Sequence, residues 1–308
     1  MARHLRRLRA DVVHTHQSKA GVLGRIAARL ARTKCVIHGV HILPFVNVGK
    51  SQEIIYVAAE RLCAQFTDAF ISVSPAVRDA CIARGIGPDH RHFVAHSPMD
   101  VARFKAPSPP ADWRGLLNVP APAPRPPTAV MLAAFEPRKR HVELIRAIPE
   151  AFAALPDWRL LFAGEGETLA EARELVARLG LSERIRFAGY RRDPEAIIAL
   201  ADVCLLTSMR EGLPRVLVQY VAAGKPCVVS RLPGLEDVVQ HDVSALITDA
   251  DDVPAAARAA AKLMADPVER ERLAAGARDI DVDAWSPEIV SARMNEAYAA
   301  AAHESRAS

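Results

Sequence analysis

Aromatic side chains are scarce in this sequence, at 5% of 308 residues, and the basic residues crowding its start have none interleaved with them. Single-stranded nucleic acids are held by aromatic platforms in a basic groove, so nucleic acid is not an expected partner. Cysteine is also sparse. Cys35, Cys63, Cys81, Cys204 and Cys227 are odd in number, widely spaced and form no C-x-x-C, which argues against a disulfide framework or a zinc site and for reduced, buried thiols. No apolar run reaches the ~18 residues of a spanning helix, and the N-terminus lacks the apolar stretch and cleavage site of a signal peptide. A cytoplasmic protein is expected. Acids are nearly missing from residues 1–34, where Asp11 alone stands against nine Lys and Arg. That basic start predicts peripheral contact with an anionic membrane at its inner face, with Leu5 and Leu8 adding a shallow apolar contact.

Half the residues are hydrophobic and the length allows about two domains. From Met1 to about Lys105, short β-type runs (Ala10 to Thr15, Cys35 to Ile37, Ala69 to Val73, His92 to Ala95) alternate with helical stretches (Gly21 to Arg32, Gln52 to Phe66), the sequence form of βαβ units. Prolines then cluster at 107, 109, 110, 120, 122, 124, 126 and 127, where they remove ladder donors and break helices. Strand-helix alternation resumes at Thr128 and continues to a helix over Pro254 to Ala265, and a last amphipathic helix follows Trp285. The organisation read from this is an N-terminal domain at 1–106, a proline-rich linker at 107–127, a second domain at 128–283 and a terminal helix and tail at 284–308. The fold class is α/β, with parallel doubly wound sheets.

In such sheets ligands bind outside the carboxyl ends of the strands, at a switch in strand order, where helix N-termini offer N–H groups to anions. The loops after Ala133, Ala163, Ala188 and Thr207 are therefore the candidates. They carry Phe135 to Arg140, Gly164-Glu165-Gly166, Gly189 to Arg192, and Ser208 to Pro214, a mixture of basic residues, glycines and one carboxylate.

These motifs, in this order, resemble glycosyltransferase family 4, retaining enzymes of the two-domain GT-B type. The likeness starts at Asp11-Val-Val-His-Thr-His-Gln-Ser-Lys-Ala-Gly21, passes Glu60-Arg61 and Ser72-Val-Ser74, and covers nearly all of 128–300. Its most specific piece is Glu211-Gly-Leu-Pro214 followed by a helix and Ala223-Gly-Lys-Pro226. The resemblance implies transfer of a sugar from a nucleoside diphosphate donor to a glycan or lipid-linked acceptor hydroxyl, with retention and with neither metal nor other cofactor. Glu211 would bind the sugar hydroxyls, Gly212 and Leu213 the sugar or diphosphate through their N–H groups, and Lys139 the leaving diphosphate. Arg138, Gly164, Gly166 and Pro214 would complete the donor site, Tyr190 and Arg191 would meet the nucleobase, and Gln219 the ribose. His41 would lie near the reacting centre, with His16 and Lys19 in the cleft. His14 reads as structural. Asp249-Ala-Asp251 and Asp281-Val-Asp283 imitate a metal motif but read as surface loops.

Departures from the family pattern bear on that reading. Ala133-Ala134 stands where the family has Gly-Arg, Gln219 where it has a ribose-binding glutamate, Ile42 where a glycine follows His41, and His96-Ser-Pro-Met-Asp100 where Asn-Gly-Ile-Asp is usual. The chain also opens where the family's fourth strand would be, so the N-terminal domain is expected to be incomplete. The rival readings are a binding-only chain that holds a nucleotide or a partner transferase without turnover, and a sugar-nucleotide 2-epimerase.

Overall fold

The structure is a computed structural model that describes residues 1–46, 48–211 and 214–307, the side chains of 305–307 excepted. It divides into two compact units. The first comprises residues 1–99 and 283–307 together with Glu211; the second comprises 100–210 and 214–282.

The first unit runs α1 (Ala2–Leu8), β1 (Val12–His16), α2 (Ser18–Ala31), β2 (Cys35–Val40), α3 (Lys50–Ala64), β3 (Ala69–Ser72), α4 (Pro75–Ala83) and β4 (His92–Val94). The strands form one parallel sheet in the order β1-β2-β3-β4. Every residue of β2 and β3 is buried, as in a parallel strand covered on both faces, with His38 and Ser72 the buried polar residues among them. Helix α4 starts where Ser74 accepts from the Val77 N–H and Pro75 follows, a capped entry with proline at the first helical position. Helix α1 carries Leu5 and Leu8, three residues apart as on one helical face. It is short and ends at Arg9 in the left-handed conformation, whose N–H caps carbonyls of the last turn.

The second unit runs α5 (Trp113–Leu117), β5 (Thr128–Leu132), α6 (His141–Ala151), β6 (Arg159–Ala163), α7 (Leu169–Arg178), β7 (Ile185–Phe187), α8 (Pro194–Ala199), β8 (Val203–Leu206), α9 (Arg215–Ala222), β9 (Cys227–Ser230), β10 (Ala245–Thr248), α10 (Val253–Ala265) and α11 (Pro267–Arg278). Its six strands are parallel in the order β10-β9-β8-β5-β6-β7. Counted within the unit this is the doubly wound order 3-2-1-4-5-6, with its switch between β5 and β8. The core lies between this sheet and its helices, where Met131, Leu160, Phe162, Val203 and Leu205 of the strands meet Ile145 and Ile148 of α6 and Ala257 and Ala260 of α10.

The chain then returns to the first unit as α12 (Pro287–Ala307). Its Met294, Ala297, Tyr298 and Ala301 pack on Cys35, Ile37, Ala69 and Ile71, alternate residues of β2 and β3. The proline-dense stretch joins the second unit instead of linking two bodies. Arg125 holds Asp202 through two bonds of 2.8 and 3.0 Å, and the same carboxylate accepts from the Thr128 N–H at 2.7 Å. Inside that stretch α5 forms around fully buried Leu117, whose carbonyl accepts from Arg159 Nε at 2.8 Å. Proline density alone hides such tertiary anchors.

Candidate functional site

The switch point of the second sheet is built from the loops the strand pattern singles out. After β5, Pro137–Lys139 makes one tight helical turn, with the Lys139 N–H donating to the Glu136 carbonyl at 2.9 Å. Thr207, just past β8, donates its hydroxyl to the Lys139 carbonyl at 2.8 Å, and the Met209 N–H donates to the Arg138 carbonyl at 2.8 Å. The two loops at the strand-order reversal are thus sewn together. Lys139 is only 9% exposed, a placement rare for lysine without a task for the charge.

Arg138 bonds Glu136 at 2.6 Å and the Arg210 carbonyl at 3.2 Å, so its guanidinium braces the loop pair. Gly164 and Gly166 have φ of +150° and +152°. A Cβ on Gly164 would stand 2.0 Å from the Ala133 carbonyl oxygen and one on Gly166 2.5 Å from that of Phe135. The two glycines are required by close approach of the β6 loop to the β5 loop, and the Phe135 N–H to Glu165 carbonyl bond of 2.8 Å closes the contact. Beneath it His141 is buried and stacked on Phe135 with centroids 4.0 Å apart. Burial, with Lys139 adding to it, pushes this imidazole down to about 3.

Tyr190 is 70% exposed on the loop after β7. Arg191 beside it is bonded to Asp193 at 2.8 and 2.6 Å, a pairing that raises the arginine and lowers the carboxyl from their ordinary ranges. Gln219 is half-buried on α9, and Pro214, buried, precedes that helix. Gly212 and Leu213 lie outside the described residues. Lys225 of the Ala-Gly-Lys-Pro turn donates to the Ala199 and Ala201 carbonyls at 3.1 and 2.9 Å, a purely architectural bond.

In the first unit, His16 and His41 come together: His16 Nδ1 lies 2.9 Å from His41 Nε2. Lys19 is exposed in the first turn of α2. Gln17, between β1 and α2, has φ 65° and ψ 170°, a region that glycine alone ordinarily populates; strain of this kind collects at functional sites. On the opposite side of β1 and β2 a polar network sequence reasoning missed supports these ends. Arg25, fully buried, meets Glu60 at 2.6 Å; Thr15 Oγ1 bonds His38 Nδ1 at 2.9 Å; His38 Nε2 stands 3.9 Å from Glu60. Burial above all, then Arg25, holds His38 down to about 2. Glu60 and Arg25 are legible as a helical pair only once α2 and α3 are known to be neighbours.

Among the described residues no three His, Cys, Asp or Glu converge where they could hold a metal ion, and no helix is long and apolar enough to cross a membrane. All five cysteines are free and buried.

Comparison with known proteins gives this arrangement its context. A family model described as "Glycosyl transferases group 1" matches residues 118–280, and one described as "Glycosyl transferase 4-like domain" matches 1–96. Among curated relatives, the UDP-Gal:alpha-D-GlcNAc-diphosphoundecaprenol alpha-1,3-galactosyltransferase of Escherichia coli is 28% identical over 255 residues, 81% of this chain and 65% of the relative. A putative glycosyltransferase, EpsD, of Bacillus subtilis is 28% identical over 264 residues, 80% of this chain and 66% of its own length. The chain thus spans about two thirds of the length of these relatives. Among solved structures, the HepE protein of Anabaena in complex with UDP superposes with a TM-score of 0.78 at 22% identity, over 97% of this chain and 80% of that one. Such a likeness speaks for the fold, which is GT-B, in agreement with the two parallel sheets seen here. With the first model covering more than half of the residues and the second nearly all of the first unit's opening, the chain belongs to the group 1 glycosyl transferases of the family 4 type.

Proposed function

We propose that the chain transfers a sugar from a nucleoside diphosphate donor to an acceptor hydroxyl on a glycan or lipid-linked saccharide, with retention of configuration. The observation that carries this reading is Lys139, a nearly buried cation held by backbone and hydroxyl bonds at the strand-order reversal, where a doubly wound sheet receives a nucleotide. A diphosphate leaving group develops charge as the glycosidic bond breaks, and a preorganised cation in a water-poor crevice stabilises that charge. In this reading Glu211 accepts the donor sugar's hydroxyls, Gln219 the ribose, and Tyr190 meets the base, while Arg191 keeps its loop in shape through Asp193. His41 stands on the reacting side. Loss of the family arginine at Ala134 leaves the phosphate charge to Lys139 and to backbone N–H groups, because Arg138 is engaged by Glu136 and the Arg210 carbonyl. No metal is needed for this chemistry.

The donor is proposed to carry uridine, as do the E. coli relative's donor and the ligand of the Anabaena neighbour. Calorimetry in EDTA with UDP-, GDP- and ADP-sugars tests the site: saturable binding is expected with UDP-sugars, and a folded sample that binds none of the donors refutes it. Peripheral contact with an anionic membrane belongs to the same reading. Helices α1 and α2 contain no acid, and the outward stripe of α2 presents Leu23, Ile26 and Leu30, with Leu8 exposed on α1. Flotation on phosphatidylglycerol vesicles at low salt, lost at high salt or when Arg3, Arg6, Arg7 and Arg9 become Ser, is the expected result. Protein that stays with the soluble fraction at low salt overturns the membrane part alone.

A further inference from the structure

The end of β1 and the segment after β2 draw three histidines and a tyrosine into one line of contacts, all inside the first unit. His14 and His16 lie on the same face of β1, two residues apart. Tyr298, on α12, places its hydroxyl 2.7 Å from His14 Nδ1. The His14 and His16 rings lie against each other with centroids 4.2 Å apart, and His16 Nδ1 meets His41 Nε2 at 2.9 Å. Space for this comes from Gly39, paired with His16 across the sheet: a Cβ there would stand 2.6 Å from His16 Nδ1 and 3.2 Å from His14 Nε2. Any side chain at that point would push the rings apart.

Two imidazole nitrogens at 2.9 Å hold one proton between them, one ring donating and the other accepting. The partner of one imidazole nitrogen decides what the other can do, because it fixes both ring orientation and tautomer. Here the partnered nitrogen of His41 is Nε2. Its second nitrogen is Nδ1.

We propose that His16 is the positioning residue of His41, fixing its orientation and tautomer so that Nδ1 meets the substrate, with His14 and Tyr298 holding His16 from behind. This rests on the reading of His41 as a residue of the transfer site. The groups packed around the pair are His14 on β1 and, through His14, Tyr298 of α12; across the sheet, on its other face, stand His38 of β2, Arg25 of α2 and Glu60 of α3. Burial first and His16 second hold His41 below its ordinary range, and burial with His16 and His41 brings His14 to about 4. His14 is therefore neutral at pH 7.

The test uses the full chain labelled with ¹⁵N-histidine. Long-range ¹H–¹⁵N spectra should show His41 in a single tautomer in the unmodified protein. In His16→Ala the signal should revert to the mixture of a solvated imidazole and its midpoint should rise. His16→Asn, whose amide nitrogen sits where Nδ1 was, should restore the single form. In parallel, UDP release from UDP-galactose should fall about tenfold or more in kcat for His16→Ala, with KM within about twofold, and recover most of the way in His16→Asn, since small misplacement of a reacting group costs up to ~10² in rate. A solution-like tautomer mixture for His41 in the unmodified protein overturns the proposal without any variant. So does a His41 spectrum that His16→Ala leaves unchanged. If the spectra change as stated but His41→Ala turns over UDP-galactose at the unmodified rate, the pair is real, the transfer-site reading of His41 fails, and the positioning role falls with it.

Discussion

Replacing Lys139 by Ala should weaken UDP binding about 10- to 150-fold. The magnitude follows from the site: the side chain is 9% exposed, its backbone is tied on both sides by bonds of 2.8 and 2.9 Å, and it sits where the strand order reverses. A charge-assisted hydrogen bond to a phosphate oxygen contributes about 1.5–3 kcal/mol, and each 1.4 kcal/mol is tenfold in affinity. A screened surface lysine would contribute far less, about 0–1 kcal/mol. The assay is calorimetry of UDP and of uridine against the unmodified protein, Lys139→Ala and Lys139→Met, in EDTA at fixed ionic strength. Uridine carries the base and ribose but no diphosphate, so its affinity should stay within about twofold in both variants, whereas UDP should lose the full factor in each. Turnover should fall further than binding, by an additional factor of about 10²–10³, because the charge on the leaving group grows on the way to the transition state. Equal loss for uridine and UDP would mean that Lys139 merely shapes the loop; unchanged UDP affinity would refute the electrostatic role outright.

Three other expectations follow from named contacts. Glu60→Ala strands fully buried Arg25 and should cost about 3–5 kcal/mol in urea unfolding, whereas the double change Arg25→Met with Glu60→Leu should recover most of that loss; a cost under about 1 kcal/mol for the single variant would contradict the buried pair. The buried histidines make stability depend on pH: His141, at about 3, and His14, at about 4, are depressed in the folded state, so the unfolded chain binds more protons below about pH 6.5. Stability present at pH 7 should decline as pH falls toward 4, by about 1.4 kcal/mol per unit for each histidine, and His141→Phe, stacked alike on Phe135, should make the decline shallower; an unchanged slope in urea midpoints from pH 7.5 to 5 would sink the assignment. Gln219→Glu should tighten UDP by about tenfold if the α9 position accepts from the ribose, since a charged acceptor gains ~1–2 kcal/mol over an amide; calorimetry that shows weaker binding means the position serves something else.

The sequence and the structure agree best where the chemistry is local. The loops after β5, β6, β7 and β8 are legible because a parallel strand must be followed by a turn, and the turn residues (Pro137, Gly164, Gly166, Gly189, Pro214) all fall within eight positions after an apolar run. What those residues do in the loop is less legible. Gly164 and Gly166 stand in the sequence as members of the donor site, and the close approach that demands glycine there is to the carbonyls of Ala133 and Phe135, partners about thirty residues away. Arg138 stands in the sequence as a donor-site residue and Arg191 as one that meets the nucleobase; in the structure Glu136 and Asp193, two residues from each, pair with their guanidinium groups. Spacing of two between opposite charges was visible in the sequence. That the pairs close was decided by backbone geometry that no spacing reveals.

The first unit shows the stronger limit. His14 and His16 stand at a strand end, the first reading as structural and the second as a cleft residue, and His41 is placed near the reacting centre by the family resemblance, but nothing within 25 residues of His16 announces that His41 will meet it. The bond exists because β1 and β2 are parallel neighbours in a register that sets His16 against Gly39, two positions before His41. The partner of His14 is farther still, 284 residues along the chain, and reaches it only because α12 returns to the unit where the chain began. Local pattern thus predicts which residues stand at the carboxyl ends of the strands, where ligands bind. Register and the return of a distant helix decide which of them touch. The positioning of His41 lies on that second level, so a change at Gly39 or Tyr298 would disturb the site without altering any motif that identifies the family.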